Sequence, residues 1–367
     1  MTIRLNEDFM NWLSDAIDKC LAKTQANVEQ FTDFPHITEQ GKYVFTPDGV
    51  WTGGFWTGIL WLAYQRNPSP ALLTAATHFT DRLLPRAHDR RNHDLGFMFY
   101  PGAIAGWRLT QRSDYKQAAL TAANSLAAQF NARAGFIPGW GFFGGEEWST
   151  SVLIDTLMNL PLLAWAVKNG GDPALLAVIE QHTATALAHH LRANGSVFHV
   201  YHFTEEGVGI RGDTYQGLAA QSSWARGQGW AITGLALLAD ALNNHHYLAT
   251  AEKVADFILS HLPPDHIPKW DYDDPQPNAP KDASAGAISA YGLLRLYRLS
   301  GKERYKTAAT AMLKALAATC IVDDNQGLLA HSTADLPHGL GIDQATGYGD
   351  YYFLKALYAL EAISAAR

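Results

Sequence analysis

Asp155 stands where a carboxylate is costly. In SVLIDTLMNLPLL (151–163) nearly every neighbour is apolar, and Asn159 follows one helical turn later on the same face. Apolar surroundings disfavour the ionised form, so Asp155 is expected to have a raised pKa and to hold a proton near neutrality, as a general acid must. The plainer alternative is an aspartate that caps a neighbouring element or pairs with an arginine. Asp94, in NHDLGFMFY (92–100), lies at a loop-to-helix junction. Asp is a good N-cap, which is its ordinary reading. Two carboxylates in unlike environments are also the usual division of labour for breaking bonds at sugars.

The segment QGLAAQSSWARGQGWAI (216–232) adds Gln216, Arg226 and Trp230. Arg226 and Trp230 are four apart, hence stacked along one helix face. An arginine there could take a substrate carboxylate in two-pronged fashion, or could be bonded to loop carbonyls. Trp51, Trp56, Trp140 and Trp148 precede or open apolar helical segments, where one or two could stack on a sugar ring while the others serve the core. His199 and His202 read as structural. The adjacent pairs His189-His190 and His245-His246 point different ways on a helix and make poor metal sites. No HExxH, cysteine-rich, GxSxG, phosphate-loop or dinucleotide pattern is present, so neither a metal nor a cofactor is expected.

The elements that must position these residues are helical. Apolar periodicity predicts about twelve segments, near 7–27, 54–66, 70–86, 95–111, 113–132, 149–169, 173–192, 222–243, 246–262, 283–299, 302–320 and 348–366. One small β-hairpin is predicted over 196–203 and 207–212, and the tracts 263–282 and 321–347 read as ordered loops. Connections alternate in length. Short ones rich in Asn, Ser, Gly, Asp and Pro follow the even segments, as in helical hairpins. Long ones (28–53, 133–148, 193–221, 321–347) follow the odd segments, and the even segments open with WTGGFW, HDLGF, EEWSTSVLID, SWARGQGW, DASAGAI and GYGDYYF. Six such hairpins suggest an all-α (α/α)6 ring, with long loops and inner-helix N-termini sharing one functional face. An open solenoid is the competing arrangement.

Composition narrows the class. Apolar residues make up 47% and charged residues 17% of 367, enough for a large core, and residues 1–367 are expected to form one catalytic domain. The net charge of −7 carries no basic run, which argues against nucleic acid and means an anionic ligand must be held by a few local cations. Eleven Trp and 15 Tyr suit a sugar-binding groove. No apolar stretch reaches the roughly 20 residues of a membrane span, and no signal peptide is visible. With Cys20 and Cys320 as the only cysteines, a reduced cytoplasmic setting is expected, as a monomer or homodimer.

Along essentially its whole length the sequence resembles the unsaturated glucuronyl hydrolases, glycoside hydrolase family 88. WTGGFWTGILWLAY, HDLGF, LIDTLMNLPLL, TYQG…SSWARGQGW, DASAGAI and GDYYFLKAL follow one another in family order. The resemblance implies a six-hairpin α/α barrel. It implies hydration of the carbon 4–5 double bond that polysaccharide lyases leave in a terminal uronic acid, with an unsaturated uronic-acid oligosaccharide as partner. Asp155 would protonate carbon 4 and deprotonate the water that adds at carbon 5, while Asp94 would hold ring hydroxyls and raise the pKa of Asp155. Substrate-binding positions fall on Trp51, Phe55, Trp140, His199, Gln216, Arg226 and Trp230, with Trp140 as platform for the departing sugar.

Two departures from the family pattern stand out. Gly229 replaces the Ala of the usual RGQAW, and GIDQATGYGDYY lacks the Ser/Lys cluster of members that prefer sulfated fragments. Three alternatives remain open: an unsaturated rhamnogalacturonyl hydrolase acting on pectin fragments, an inverting glycosidase on saturated sugars, and a non-catalytic sugar-binding scaffold. The inverting reading predicts carboxyls about 6.5–9.5 Å apart.

Overall fold

Glycines set how closely the central helices can pack. A Cβ at Gly54 would lie 2.2 Å from the carbonyl oxygen of Phe97, and one at Gly96 would lie 2.3 Å from the Cα of Asn159. Only a residue without a side chain allows backbone to meet backbone in this way. The computed structural model describes residues 2–139 and 150–365, with the backbone alone over 2–10.

Six helical stations form an inner ring. They are α2 (Gly53–Arg66), α4 (Leu95–Phe99) continued through a π turn into α5 (Ala105–Thr110), α7 (Leu160–Lys168), α9 (Ala225–Leu242), α11 (Ala283–Ser300) and α13 (Gly347–Ala365). Around them lie α1 (Thr2–Val28), α3 (Pro70–Leu83), α6 (Ser113–Ala127), α8 (Leu175–His190), α10 (His245–His261) and α12 (Glu303–Thr319). Each outer helix α3, α6, α8, α10 and α12 packs against the inner helix just before it, and α1 packs on α13 from the other end of the chain. The helix α13 also touches both α11 and α2, so the ring closes and is not a solenoid.

Turn chemistry delimits the hairpins as the spacing predicts. Ser69 caps α3 ahead of Pro70, and the Asn244 side chain accepts from the first amides of α10. Gly301, at φ +68°, ends α11 in the left-handed conformation that a helix stop favours.

Four expectations need correction. The segment 95–111 is not one regular helix: a π turn at Tyr100–Ile104 carries Pro101, whose missing N–H cannot continue the ladder. The segment 149–169 is not helical at its start. Ser151–Leu153 is a buried strand, β3 in the strand numbering, followed by a 3-10 turn at Ile154–Met158, and α7 begins only beside Pro161. A short apolar run such as SVLI is compatible with either state, and pairing with a neighbouring strand decides it here. The predicted hairpin is therefore a three-stranded sheet, β3–β4–β5, with β4 at Val200–Phe203 and β5 at Gly209–Asp213. The long tracts 28–53 and 321–347 each contain a hairpin: β1 (Phe34–Glu39) with β2 (Lys42–Thr46), and β6 (Ser332–Asp335) with β7 (Leu340–Gln344).

These small sheets stand over the N-terminal ends of the inner helices. The strand β1 packs on α2 and α13, and β6 packs on α11. Thr38 donates its backbone N–H to Ala345 at 2.9 Å, joining the first hairpin to the entry of α13. No helix among the described residues is long and apolar enough to cross a membrane.

Candidate active site

The functional face opens into a cleft of about 490 Å³ lined by Trp51, Asp94, Asp155, Gln216, Arg226 and Trp230, all foreseen from the sequence, and by His93, which was not. Asp94 occupies the N-cap position of α4 but makes no capping hydrogen bond. Its carboxylate instead faces the cleft, where Asn159 donates to Oδ1 at 3.2 Å. Asn159 also accepts from the Phe97 amide at 2.8 Å, so one side chain ties the start of α4 to the turn that carries Asp155. Asp155 stands in that 3-10 turn between β3 and α7 rather than inside an apolar helix, and its side chain is 17% exposed.

His93 sits between the two carboxylates. Its Nε2 lies 3.4 Å from Asp94 and 3.9 Å from Asp155, and its side chain is only 4% exposed. Burial opposes charge on the imidazole, but the two carboxylates outweigh it and lift its pKa to about 9. Burial is the largest influence on Asp94 and, with the charge of Asp155, raises it to about 6 against the opposing charge of His93. Burial would raise Asp155 as well, but the adjacent His93 and its positive charge hold it below the ordinary carboxylate value. This reverses the direction expected from the apolar sequence around Asp155. The adjacent histidine cancels the desolvation.

One ligand atom each from His93, Asp94 and Asp155 fall within 4.8 Å of one another, which makes this the grouping among the described residues that could hold a metal ion. A protonated His93 already places positive charge between the carboxylates.

The aromatic residues divide into wall and support. Trp51 is partly exposed and stacks on Tyr348 at 5.2 Å with the planes 21° apart. Trp230 packs against Phe97 at 4.9 Å. Phe55 is fully buried behind Trp51, so it backs the wall and does not line the cleft. Trp140 and Trp148 lie outside the described residues. Trp56 is core, packed on Phe31 and Phe79.

Arg226 is fully buried, and its fork is already engaged. One Nη donates to Asp282 at 2.8 Å and to the Thr333 carbonyl at 2.7 Å, and the other donates to the Ala334 carbonyl. Three of its five N–H groups are therefore committed to the protein, which leaves at most one edge of the guanidinium for a substrate carboxylate. Gln216 donates to the same Ala334 carbonyl at 2.9 Å. His199 packs against Trp224 with ring centroids 4.3 Å apart and planes tilted by 34°, and its Nδ1 accepts from the amides of Tyr215 and Gln216. Burial pushes it down to about 3, so it is neutral and shapes the 214–216 loop. At the rim, the Tyr215 ring stacks on His338 at 4.2 Å, and Asp335 accepts from His338.

Sequence reasoning missed His93, Trp224, Tyr215 and Asp335. His93 was in view within HDLGF, and its signal was adjacency to Asp94. Trp224 and Tyr215 were likewise in view within SSWARGQGW and TYQG, while Asp335 comes from a tract read as loop, whose path no periodicity reports.

A family model described as Glycosyl Hydrolase Family 88 matches residues 22–355. The unsaturated glucuronyl hydrolase of Bacillus sp. (strain GL1) is 37% identical over 366 residues, spanning 94% of this chain and 96% of that protein. The unsaturated chondroitin disaccharide hydrolase of Streptococcus pyogenes serotype M1 is 32% identical, spanning 96% and 92%. Among solved structures, a mutant unsaturated glucuronyl hydrolase from Streptococcus agalactiae complexed with dGlcA-GalNAc6S superposes with a TM-score of 0.83 at 29% identity, covering 95% of this chain and 90% of that one.

Proposed function

The chain belongs to glycoside hydrolase family 88, and from that premise we propose that it releases the terminal unsaturated uronic acid from lyase-generated oligosaccharides such as glycosaminoglycan disaccharides. The observation that carries this reading is the meeting of Asp94, His93 and Asp155, ligand atoms within 4.8 Å of one another, on the floor of an aromatic-walled cleft. Residues 1–367 are read as one catalytic domain.

The reaction is hydration of a vinyl ether. A proton adds at carbon 4, and water adds its hydroxyl at carbon 5 and gives up a proton. The resulting hemiketal opens by breaking the bond from carbon 5 to the ring oxygen. The hemiacetal left at carbon 1 then expels the neighbouring sugar as an alcohol. Asp155 serves as acid at carbon 4 and as base toward water. In the free enzyme His93 keeps Asp155 ionised, but the substrate brings its own carboxylate into the cleft. A new negative charge beside Asp155 favours its protonated form, so arrival of the correct substrate charges the acid. Asp94, held by Asn159, binds ring hydroxyls. Trp51 and Trp230 pack against the sugar, Gln216 and the remaining edge of Arg226 face its carboxylate, and Phe55 and His199 support these contacts from behind. Trp140 is assigned to the departing sugar by family resemblance.

Unsulfated disaccharides are the favoured substrates, because 340–346 contains neither Lys nor Ser. A reducing cytoplasmic location accords with two buried free cysteines.

The test is to incubate the protein with unsaturated disaccharides from hyaluronan, chondroitin, heparin and pectin lyase digests and to follow the ultraviolet band of the conjugated double bond. Loss of the band with glycosaminoglycan disaccharides is expected. Loss with pectin fragments alone would favour the rhamnogalacturonyl activity. Cleavage of saturated glycosides with the band intact would refute hydration.

A further inference from the structure

Toward the opposite end of the barrel, where α2, α9, α11 and α13 finish, two cavities of about 390 and 240 Å³ border Lys355, and a third of about 160 Å³ runs from Lys355 inward to Gly96 and Phe97. Their walls carry Arg66, Arg108, Arg295, Arg298 and Lys355 but one carboxylate, Glu361, in a chain whose net charge is −7. Glu361 is taken by Arg66 through two hydrogen bonds of 2.8 and 3.0 Å. Asp240, from α9, is taken by Arg295. Among the described residues no carboxylate makes an ion pair with Arg108, Arg298 or Lys355.

Lys355 is the least explained of these cations. It lies mid-way along α13, away from the last turn, where a lysine would serve the exposed helix carbonyls. It is largely enclosed, and its Nζ donates to a neutral partner, the Tyr351 hydroxyl, at 2.6 Å. Aromatic rings flank it, with Tyr351 and Tyr291 centroids at 5.0 and 5.6 Å. An enclosed ammonium without a counter-ion is unfavourable, the more so with other cations nearby. Burial first, then the charges of Arg108 and Arg295, push its pKa down to about 7. In the same pocket the Nε of Arg295 and the hydroxyl of Tyr358 are buried without a hydrogen-bond partner among the described residues.

We infer that this floor of the barrel is a binding site for a small oxyanion, a phosphate or carboxylate group on a compact organic body, held by Lys355, Arg295 and Arg298. The largest cavity falls within the about 300–1,000 Å³ typical of small-ligand pockets. Its lining also includes Leu62, Leu294 and Ala359, which suit the carbon frame of such a ligand. The oxyanion supplies the counter-charge that Lys355 and Arg298 lack, beside the unpartnered Nε of Arg295.

Calorimetric titration of the full chain with inorganic phosphate and, separately, with succinate tests this, with chloride at matched ionic strength as control. Saturable binding of at least one probe is expected, phosphate-selective for a phosphate ester and succinate-selective for a carboxylate. Binding should weaken at least about tenfold in Lys355→Met and in the more exposed Arg298→Gln, a loss in keeping with removal of a charge-assisted hydrogen bond. It should persist in Asp155→Asn at the other end of the barrel. The Lys355 resonance in lysine-labelled protein should titrate at higher pH once the anion is bound. No saturable binding beyond chloride, binding that survives both floor substitutions, or binding lost in Asp155→Asn overturns the proposal.

Discussion

The imidazole of His93 and the carboxylate of Asp94 are sequence neighbours that face each other, Nε2 to Oδ1, at 3.4 Å inside the protein. Backbone neighbours rarely converge in this way, and here the junction into α4 turns both side chains toward the cleft. The pair thereby couples the charge state of the site to a residue that touches both carboxylates.

His93 is predicted to set the alkaline limb of the pH profile. Its pKa is raised from 6.5 to about 9, so catalysis that depends on the imidazolium should fall as pH rises through about 9. In His93→Gln that limb should move or vanish, with kcat reduced by about a hundredfold. The measurement is kcat/KM against pH for both proteins. An unchanged limb would remove His93 from the scheme. The same shift has a stability sign: a raised histidine pKa contributes stability in full below about 6.5, and this is lost as pH rises through about 9. The Tm difference between the native protein and His93→Gln should therefore shrink toward pH 9 and above.

Asp155→Asn should lower kcat by about 10²–10⁴-fold while substrate still binds, since the amide keeps shape but cannot relay a proton. Asp94→Asn should raise KM as well, because contacts to ring hydroxyls change along with the charge. Single-turnover decay of the ultraviolet band, compared with equilibrium binding, separates the two effects. Full activity in Asp155→Asn would refute the proton relay.

Arg226→Met is expected to act mainly on stability. It would strand Asp282, which is wholly buried and also caps α11, and breaking such a pair costs about 3–5 kcal/mol. Denaturant unfolding measures the loss, and the Arg226→Met/Asp282→Asn double variant should recover part of it. Wild-type stability with a selective loss on carboxylate-bearing substrates would restore the clamp role.

Gly96→Ala should lower both Tm and kcat. Its new methyl would press on the Asn159 backbone, which cannot yield as a flexible side chain would, and Asn159 positions Asp94. Thermal melts and initial rates report both losses, and native values for either would show that the contact can relax.

The ring was legible because alternating loop lengths and unusual residues at every second helix report hairpins that share a face. Asp94, Asp155 and Trp230 were legible for the same reason, since each opens an inner station. The setting of Asp155 was not. SVLIDTLM satisfies helix periodicity locally, and its strand state depends on β4, some fifty residues away, as the Leu153–Val200 pairing shows. The sign of its pKa shift was hidden likewise, because it comes from a histidine on another element. Arg226 read as either a substrate fork or a partner of loop carbonyls, because nothing near it in sequence shows Asp282 or the carbonyls of 333 and 334. The hairpins in 28–53 and 321–347 carry Gly, Asp and Gln at their turns, which read equally well as irregular loop.

The stacking of Trp51 on Tyr348 crosses the seam where the last inner helix meets the first. One wall of the cleft is thus split between the two ends of the chain and is completed only when they dock. Catalysis is then a reporter of circular closure. A refolding chain should regain helical content while still inert, and turnover should return in step with the burial of Tyr348.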